Sequence, residues 1–224
     1  MDGFDFLGQG LLELGLNSQS NCSLLEKMET YIDELMLFNS AYDLVGAQNR
    51  DEIIVRHILD SLSASHIIQE LAQGVLNVTG QSARIADIGS GGGLPGIPLA
   101  VAIPNAQFTL VERMSKRCAF LENCIAVLGL NNVTVENKQA EQMPREQFDI
   151  EVFRAFRPLE KKMTKTLLAL LKPDGIIAAY KAKKESIQEE MNAISDLVDE
   201  YKTMPLTVPF LQDRQRHLVL IKKQ

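Results

Sequence analysis

The residues best able to do chemistry in this sequence are a glycine run with an acid on either side. Asp87, Gly89, Gly91, Gly93 and Gly96 lie within ten residues, and Glu112 follows Gly93 by nineteen. The run leaves an apolar stretch at Ile85 and enters Leu94-Pro95, so a strand feeds a helix through a glycine turn. Glycine lets the main chain take positive φ and approach a ligand closely. The loop and the helix start then face the crevice beyond the strand's carboxyl end, where open α/β sheets hold nucleotides. Gly91, Gly93 and Gly96 satisfy a dinucleotide pattern, G-x-G-x-x-G, which would suit an NAD-dependent oxidoreductase. Two features count against it. The first glycine after the strand is Gly89, whose frame puts Leu94 at the third glycine position, and Asp87 at the strand end would repel a pyrophosphate. An acid there suits the cationic methionine end of S-adenosylmethionine. Glu112, closing the next strand, is placed to accept from both ribose hydroxyls.

Two cations sit where later strands should end. Arg154 closes an otherwise apolar segment (Ile150, Val152, Phe153), so it needs a partner, either a ligand or a neighbouring acid. Lys181 follows Ile176 to Tyr180 and reads as a phosphate or base contact, or as an exposed strand terminus. The histidines (His57, His66, His217) are far apart, with no serine or cysteine signature beside them, so no nucleophile–base pair is expected. His57 reads as structural. Cys22, Cys118 and Cys124 lack metal-ligand spacing, so neither a metal site nor a disulfide framework is expected.

The elements that must position these groups follow from periodicity. Ser23 and Glu26 have capping-box spacing, and Leu24, Leu25, Met28, Tyr31, Ile32 and Leu35 share one helical face. A second helix is predicted from Asn49, burying Ile53, Ile54, Ile58, Leu59 and Leu62, and residues 73–82 read as a loop. Residues 1–75 are therefore expected to form a helical cap, and 76–224 a cofactor-binding domain. In that second part, strands are predicted at 84–88, 108–111, 133–136, 148–153 and 175–181, with two more at 206–210 and 217–222. Helices are predicted at 96–103, 115–128, 159–171 and 185–201, the second stopped by Gly129-Leu130. Strand–helix alternation implies a doubly wound, mostly parallel seven-stranded α/β sheet.

Charge is uneven. The chain has 224 residues and a net charge of −6, yet residues 1–53 hold ten acids against two bases, while residues 154–184 hold nine bases against two acids. A basic C-terminal half points to a polyanionic partner. No apolar run approaches the roughly 20 residues of a membrane span, and the acidic start lacks the basic lead of a secretory signal. A cytoplasmic protein is expected, working as a monomer.

Asp87-Ile-Gly-Ser-Gly-Gly-Gly-Leu-Pro-Gly-Ile-Pro98, preceded by Val55-Arg-His-Ile-Leu-Asp-Ser-Leu62, resembles the RsmG (GidB) family. Phe38-Asn-Ser-Ala-Tyr42, Ser115-Lys-Arg117, Arg154-Ala-Phe156 and Arg216-His-Leu-Val-Leu-Ile-Lys222 match it in the same order. These are methyltransferases of the S-adenosylmethionine-dependent class that modify a guanine N7 in 16S ribosomal RNA. The resemblance implies a Rossmann-like class I fold, with cofactor contacts at Gly89, Leu94, Glu112, Ala140, Glu141 and Arg154. It implies as partner the 16S rRNA of an assembling small subunit. Arg56, Arg113, Lys116, Arg117, Arg157, Lys183, Lys184, Arg214 and Arg216 are the expected RNA contacts. Asp43, Val45 and Ala182 depart from the family's pattern near the expected RNA face. A catalytically silent RNA-binding assembly factor is the alternative.

Overall fold

The protein is described by a computed structural model over residues 5–16, 22–154 and 158–223. Helices precede the sheet: α1 (Phe6–Glu13), α2 (Cys22–Tyr42), α3 (Arg50–Ile53), α4 (Asp60–Leu62) and α5 (Ser65–Thr79). A π-helical turn, Ile54–Leu59, joins α3 to α4. The Asp5 carboxylate caps α1 by accepting from the Gly8 N–H (2.8 Å). Asn49 caps α3 through the Glu52 N–H (2.9 Å), as its spacing predicts. The sheet then alternates with helices: β1 (Arg84–Ile88), α6 (Gly96–Ala102), β2 (Gln107–Glu112), α7 (Ser115–Leu128), β3 (Val133–Asn137), β4 (Phe148–Arg154), α8 (Lys161–Leu170), β5 (Leu171–Lys181), α9 (Lys184–Ala193), β6 (Tyr201–Pro205) and β7 (His217–Lys222).

The seven strands run in the order β3-β2-β1-β4-β5-β7-β6. β1 through β5 are mutually parallel and β7 is antiparallel to both neighbours. Parallel strands need helical crossovers, so both faces of the sheet are covered and its central strands read as nearly unbroken apolar runs. One face buries Ile85, Leu110, Val152 and Leu218 under the N-terminal helices, α6 and α7. The other buries Ile88, Phe153, Ile177 and Val219 under α8 and α9. Met28, Tyr31 and Ile58 share the first core with Ile97 and Leu110, so the helices before β1 have no core of their own. The boundary expected at residue 75 falls inside α5.

Several elements differ from expectation. α1 was missing from the prediction. α5 occupies much of the expected loop, because Ile68 and Ala72 bury one face despite Gln73, Gly74 and Asn77, and Gly80 (φ +70°) ends it. α2 begins at Cys22, which places Ser23 inside the helix. α9 stops at Ala193 and β6 begins at Tyr201, so the outer strand lies five residues earlier than expected. It pairs Tyr201 with Ile221 and ends on Pro205, which an edge strand tolerates. Gly129 (φ +59°) closes α7, with the Leu130 N–H reaching the Ile125 carbonyl, as the sequence implies.

Gly10 lets α1 lie against the π-turn: a Cβ there would stand 2.3 Å from Leu59 Cδ1. Gly10→Ala should cost about 1–3 kcal/mol by overpacking, read as a lower urea midpoint, with binding of S-adenosylhomocysteine retained.

Candidate active site

Two carboxylates hold the glycine loop in place. Asp87, 1% exposed, accepts from the Ser90 hydroxyl (2.7 Å) and the Gly96 N–H (2.9 Å) through Oδ2. Its other oxygen is buried without a partner, and burial pushes the carboxyl up to about 6. Glu112 accepts from the Gly91 N–H (3.0 Å) and the Met114 N–H (2.8 Å), so β2 is tied to the loop after β1. Gly93 turns at φ +91°, where a Cβ would lie 2.5 Å from Ile97 Cδ1. At Gly96 a Cβ would lie 2.7 Å from Asp87 Oδ2, so only glycine lets α6 start against this acid. From above, the buried Tyr31 hydroxyl of α2 donates to the Gly92 carbonyl (2.5 Å). Burial raises that phenol well above its ordinary value, so it stays a donor.

A cavity of about 350 Å³ opens beside this loop at the carboxyl ends of β1 to β3. Its walls include Gly89, Glu112, Ala140 and Glu141, four of the expected cofactor residues, with Ile88, Val111 and Met163 as apolar surface. Ala140 opens a short 3₁₀ turn (Ala140–Gln142), which Gln139 and Gln142 cap reciprocally. Arg113, Arg117 and Lys138 form its basic rim. These residues fit an adenosyl group. A carboxylate offers about four lone-pair sites, and the two backbone N–H groups on Glu112 leave acceptors for a ribose diol. Asp87, Gly91, Gly93 and Leu94 are not among the residues lining this cavity. Through Oδ2, bonded to Ser90 and Gly96, Asp87 anchors the loop's backbone, while Oδ1 has no hydrogen-bond partner among the described residues.

Arg154 ends β4, the strand beside β1, and does not line this cavity either; its side chain is 14% exposed. It donates to the Asp60 carboxylate (3.0 Å), the Arg56 carbonyl (2.8 Å) and His57 Nδ1 (2.9 Å). Burial, then Arg154, lowers His57 to about 4, so at neutral pH it is an acceptor at Nδ1. Of the two partners left open for Arg154, the structure supplies the neighbouring acid. The second oxygen of Asp60 accepts from Arg216 Nε (3.0 Å), so Arg216, expected on the RNA face, enters the same cluster. Lys181 pairs its ammonium with Glu190 of α9 (2.5 Å) at 11% side-chain exposure, which corrects the reading of an exposed strand terminus. Glu190 also accepts from the Leu159 N–H (2.9 Å).

The other expected RNA contacts divide. Arg113, Lys116, Lys183, Lys184 and Arg214 are exposed. Arg56 pairs with Glu52 (3.1 Å). Arg117 donates to the Asp43 carbonyl (2.8 Å), which fixes it at the cavity edge. Arg157 lies outside the described residues. Asp43 takes φ +51°, a left-handed position that Asn and Asp tolerate best, and Asn39 secures the turn through the Leu44 and Val45 N–H groups (2.9 and 2.8 Å). Sequence reasoning assigned no role to Asp60, Asn39 or Glu190, and gave Tyr31 only a core position. The bonds their side chains make span 5 to 156 positions, and no local pattern marks them.

The sheet order, the glycine loop after β1 and the acid ending β2 define a methyltransferase of the S-adenosylmethionine-dependent class I type. Residues 24–219 match the family described as rRNA small subunit methyltransferase G (GidB), and the chain belongs to it. A ribosomal RNA small subunit methyltransferase G of Treponema denticola is 41% identical, covering 96% of this chain and 92% of the relative. One from Cellvibrio japonicus is 36% identical over 89% of this chain and 86% of the relative. Among solved structures, a tRNA (m1A58) methyltransferase from Aquifex aeolicus superposes with a TM-score of 0.56 at 14% identity, covering 86% of this chain and 76% of that one. A SAM-dependent O-methyltransferase from Thermotoga maritima gives 0.54 at 17% identity, covering 86% and 71%. At such identities the likeness is one of fold.

Tyr31→Phe leaves the Gly92 carbonyl unpaired, so it should cost about 1–3 kcal/mol of stability and weaken S-adenosylhomocysteine binding in calorimetry. Affinity equal to wild type would mean that α2 does not brace the loop. Asp87 carries a raised native value, so the native state holds its proton where the unfolded chain has lost it, and its contribution to stability falls as pH rises from about 4 to about 6. Asp87→Asn removes this loss: urea midpoints of the variant should gain on wild type across that interval, by an amount of the order of 2–3 kcal/mol, and hold the gain above it.

Proposed function

We propose that the protein transfers a methyl group from S-adenosylmethionine to N7 of a guanine in the decoding-centre loop of 16S rRNA, acting on the assembling small subunit as a cytoplasmic monomer. The observation that carries this reading is the placement, at the carboxyl ends of the adjacent strands β2, β1 and β4, of a cavity bordered by Glu112 and of a two-arginine cluster at Arg154 and Arg216. Bound S-adenosylmethionine supplies the methyl group.

Guanine N7 carries an in-plane lone pair and needs no deprotonation before it attacks, so the protein's task is alignment and exclusion of water. Glu112 takes the ribose hydroxyls, and Ala140-Glu141 borders the adenine. Gly89 gives the main chain its close approach. Arg154, held on three sides and with its buried Nε unpartnered among the described residues, positions the cofactor or the guanine. This division of labour accounts for the want of a nucleophile–base pair among the described residues.

RNA affinity comes mainly from neutralised phosphates, and base recognition from unpaired nucleotides. Arg113 and Lys116 adjoin the ribose acid, while Lys183, Lys184 and Arg214 lie beyond the carboxyl end of β5. Together they form a basic margin around the crevice, with Arg56 and Arg117 at its helical side.

Radiolabelled methyl should pass from S-adenosylmethionine to small subunits purified from cells lacking this modification, and Glu112→Gln should reduce both transfer and S-adenosylhomocysteine affinity by at least about tenfold, the worth of one charge-assisted hydrogen bond. Binding of those subunits without transfer would favour the assembly-factor reading.

A further inference from the structure

The Asp60 cluster holds more than Arg154 requires. Arg154 has three tertiary anchors: Asp60, the Arg56 carbonyl and His57. Arg216 has one among the described residues. Its Nε donates to Asp60 Oδ1 (3.0 Å), and its Nη1 donates to the carbonyl of the adjoining Gln215 (3.0 Å). Asp60 is itself fixed in place. It is 2% exposed, its carbonyl accepts from the Ser63 hydroxyl (2.7 Å), and the next carbonyl, of Ser61, accepts from the buried Tyr180 hydroxyl of β5 (2.7 Å). A rigid carboxylate therefore sets the place of a guanidinium that no other described residue distant in sequence holds.

One carboxylate is shared. Asp60 bonds two guanidiniums whose side chains are 14% and 18% exposed, while Asp87 acts on Arg154 only through space and His57 is neutral at pH 7. Nearby Arg56 is already matched by Glu52. Sharing one carboxylate between two largely buried guanidiniums is a poor way to gain stability, since apolar residues of similar volume commonly do as well or better. It suits a site that receives an electron-rich oxygen. Arg216 uses two of the five N–H donors of a guanidinium, so three remain beside the carboxyl ends of β4 and β5.

We propose that Asp60 is a positioning residue for methyl transfer, and that Arg216 is the group it positions, donating to an oxygen of the acceptor nucleotide. This rests on the proposed function above and adds to it an assigned acceptor-side contact and the residue that delivers it. Because many phosphates set affinity for the subunit, misplacing one guanidinium at the acceptor should appear in kcat and leave KM nearly unchanged.

The test is a double-mutant cycle with Asp60→Asn and Arg216→Gln, assayed on small subunits lacking the modification, with melting curves and S-adenosylhomocysteine titrations alongside. Each single variant should lose roughly 100-fold in kcat, as misplacement by about 1 Å can cost, with KM for the subunit within about threefold of wild type. The double variant should lose no more than the worse single one, because both remove the same contact. Losses that multiply, or an Arg216→Gln enzyme within threefold of wild type in kcat, would overturn the proposal. Arg216 is part-exposed, so its variant decides the matter even where Asp60→Asn fails to fold. Wild-type protein inactive on these subunits would contradict the proposed function, whereas active wild type with an unaffected Arg216→Gln contradicts this inference alone.

Discussion

Two carboxylates fastening one stretch of backbone set the terms for the rest of the molecule. Asp87 and Glu112 end adjacent parallel strands, and between them they take the N–H groups of Gly91, Gly96 and Met114 with the hydroxyl of Ser90. Burying an acid is costly unless it is hydrogen-bonded, and here the backbone of the cofactor loop provides the bonds. The loop is therefore rigid because the acids need it, and the acids are tolerated because the loop is there. The same constraint selects glycine where a side chain would strike Ile97 or Asp87 itself. Tyr31 closes the arrangement from the helical side, which is why the N-terminal helices share a core with the sheet.

A second polar centre follows another logic. Asp60, Arg154, Arg216 and His57 come from the π-turn, α4, β4 and the start of β7, and they meet only because the helices preceding β1 fold back over the sheet edge. The π-turn over Ile54–Leu59 presents the Arg56 carbonyl and His57 together to Arg154. Such turns are frequent at functional sites. The acidic N-terminal half thus contributes more than solvated charge: one of its neighbours, Asp60, orders two cations belonging to the basic half.

Much of this was legible in the sequence because it is local. The strand–glycine–helix turn, the acid closing β2 and the α7 stop at Gly129 each depend on residues a few positions apart, and each is found where spacing put it. Strands β1, β2 and β4 are legible for a related reason, since strands buried on both faces are written as apolar runs, whereas the edge strand β3 shows as the alternation Val133-Thr-Val135. What failed was either weakly patterned or long-range. α5 was obscured by Gly74 and its polar neighbours, and β6 by a five-residue misplacement on an exposed edge where one face alone is buried. Asp87 reads as a ligand from its type and position, and only the three-dimensional path of Ser90 and Gly96 shows that one of its two oxygens also ties down the loop. Lys181 looked available because Glu190, nine residues on, returns to it from a helix whose packing no spacing rule fixes. Tyr31 bonds a glycine 61 positions away, which periodicity reads simply as a core residue.

The central claim is that the cavity between the glycine loop, Glu112 and the Ala140 turn holds the adenosyl group. A crystal structure with S-adenosylhomocysteine tests it most directly. The account requires the ribose hydroxyls on the Glu112 carboxylate, the adenine against Ala140-Glu141, and Asp87 still bonded to Ser90 and Gly96 beneath the loop. A nucleoside lying elsewhere, or one whose ribose leaves Glu112 untouched, would contradict it.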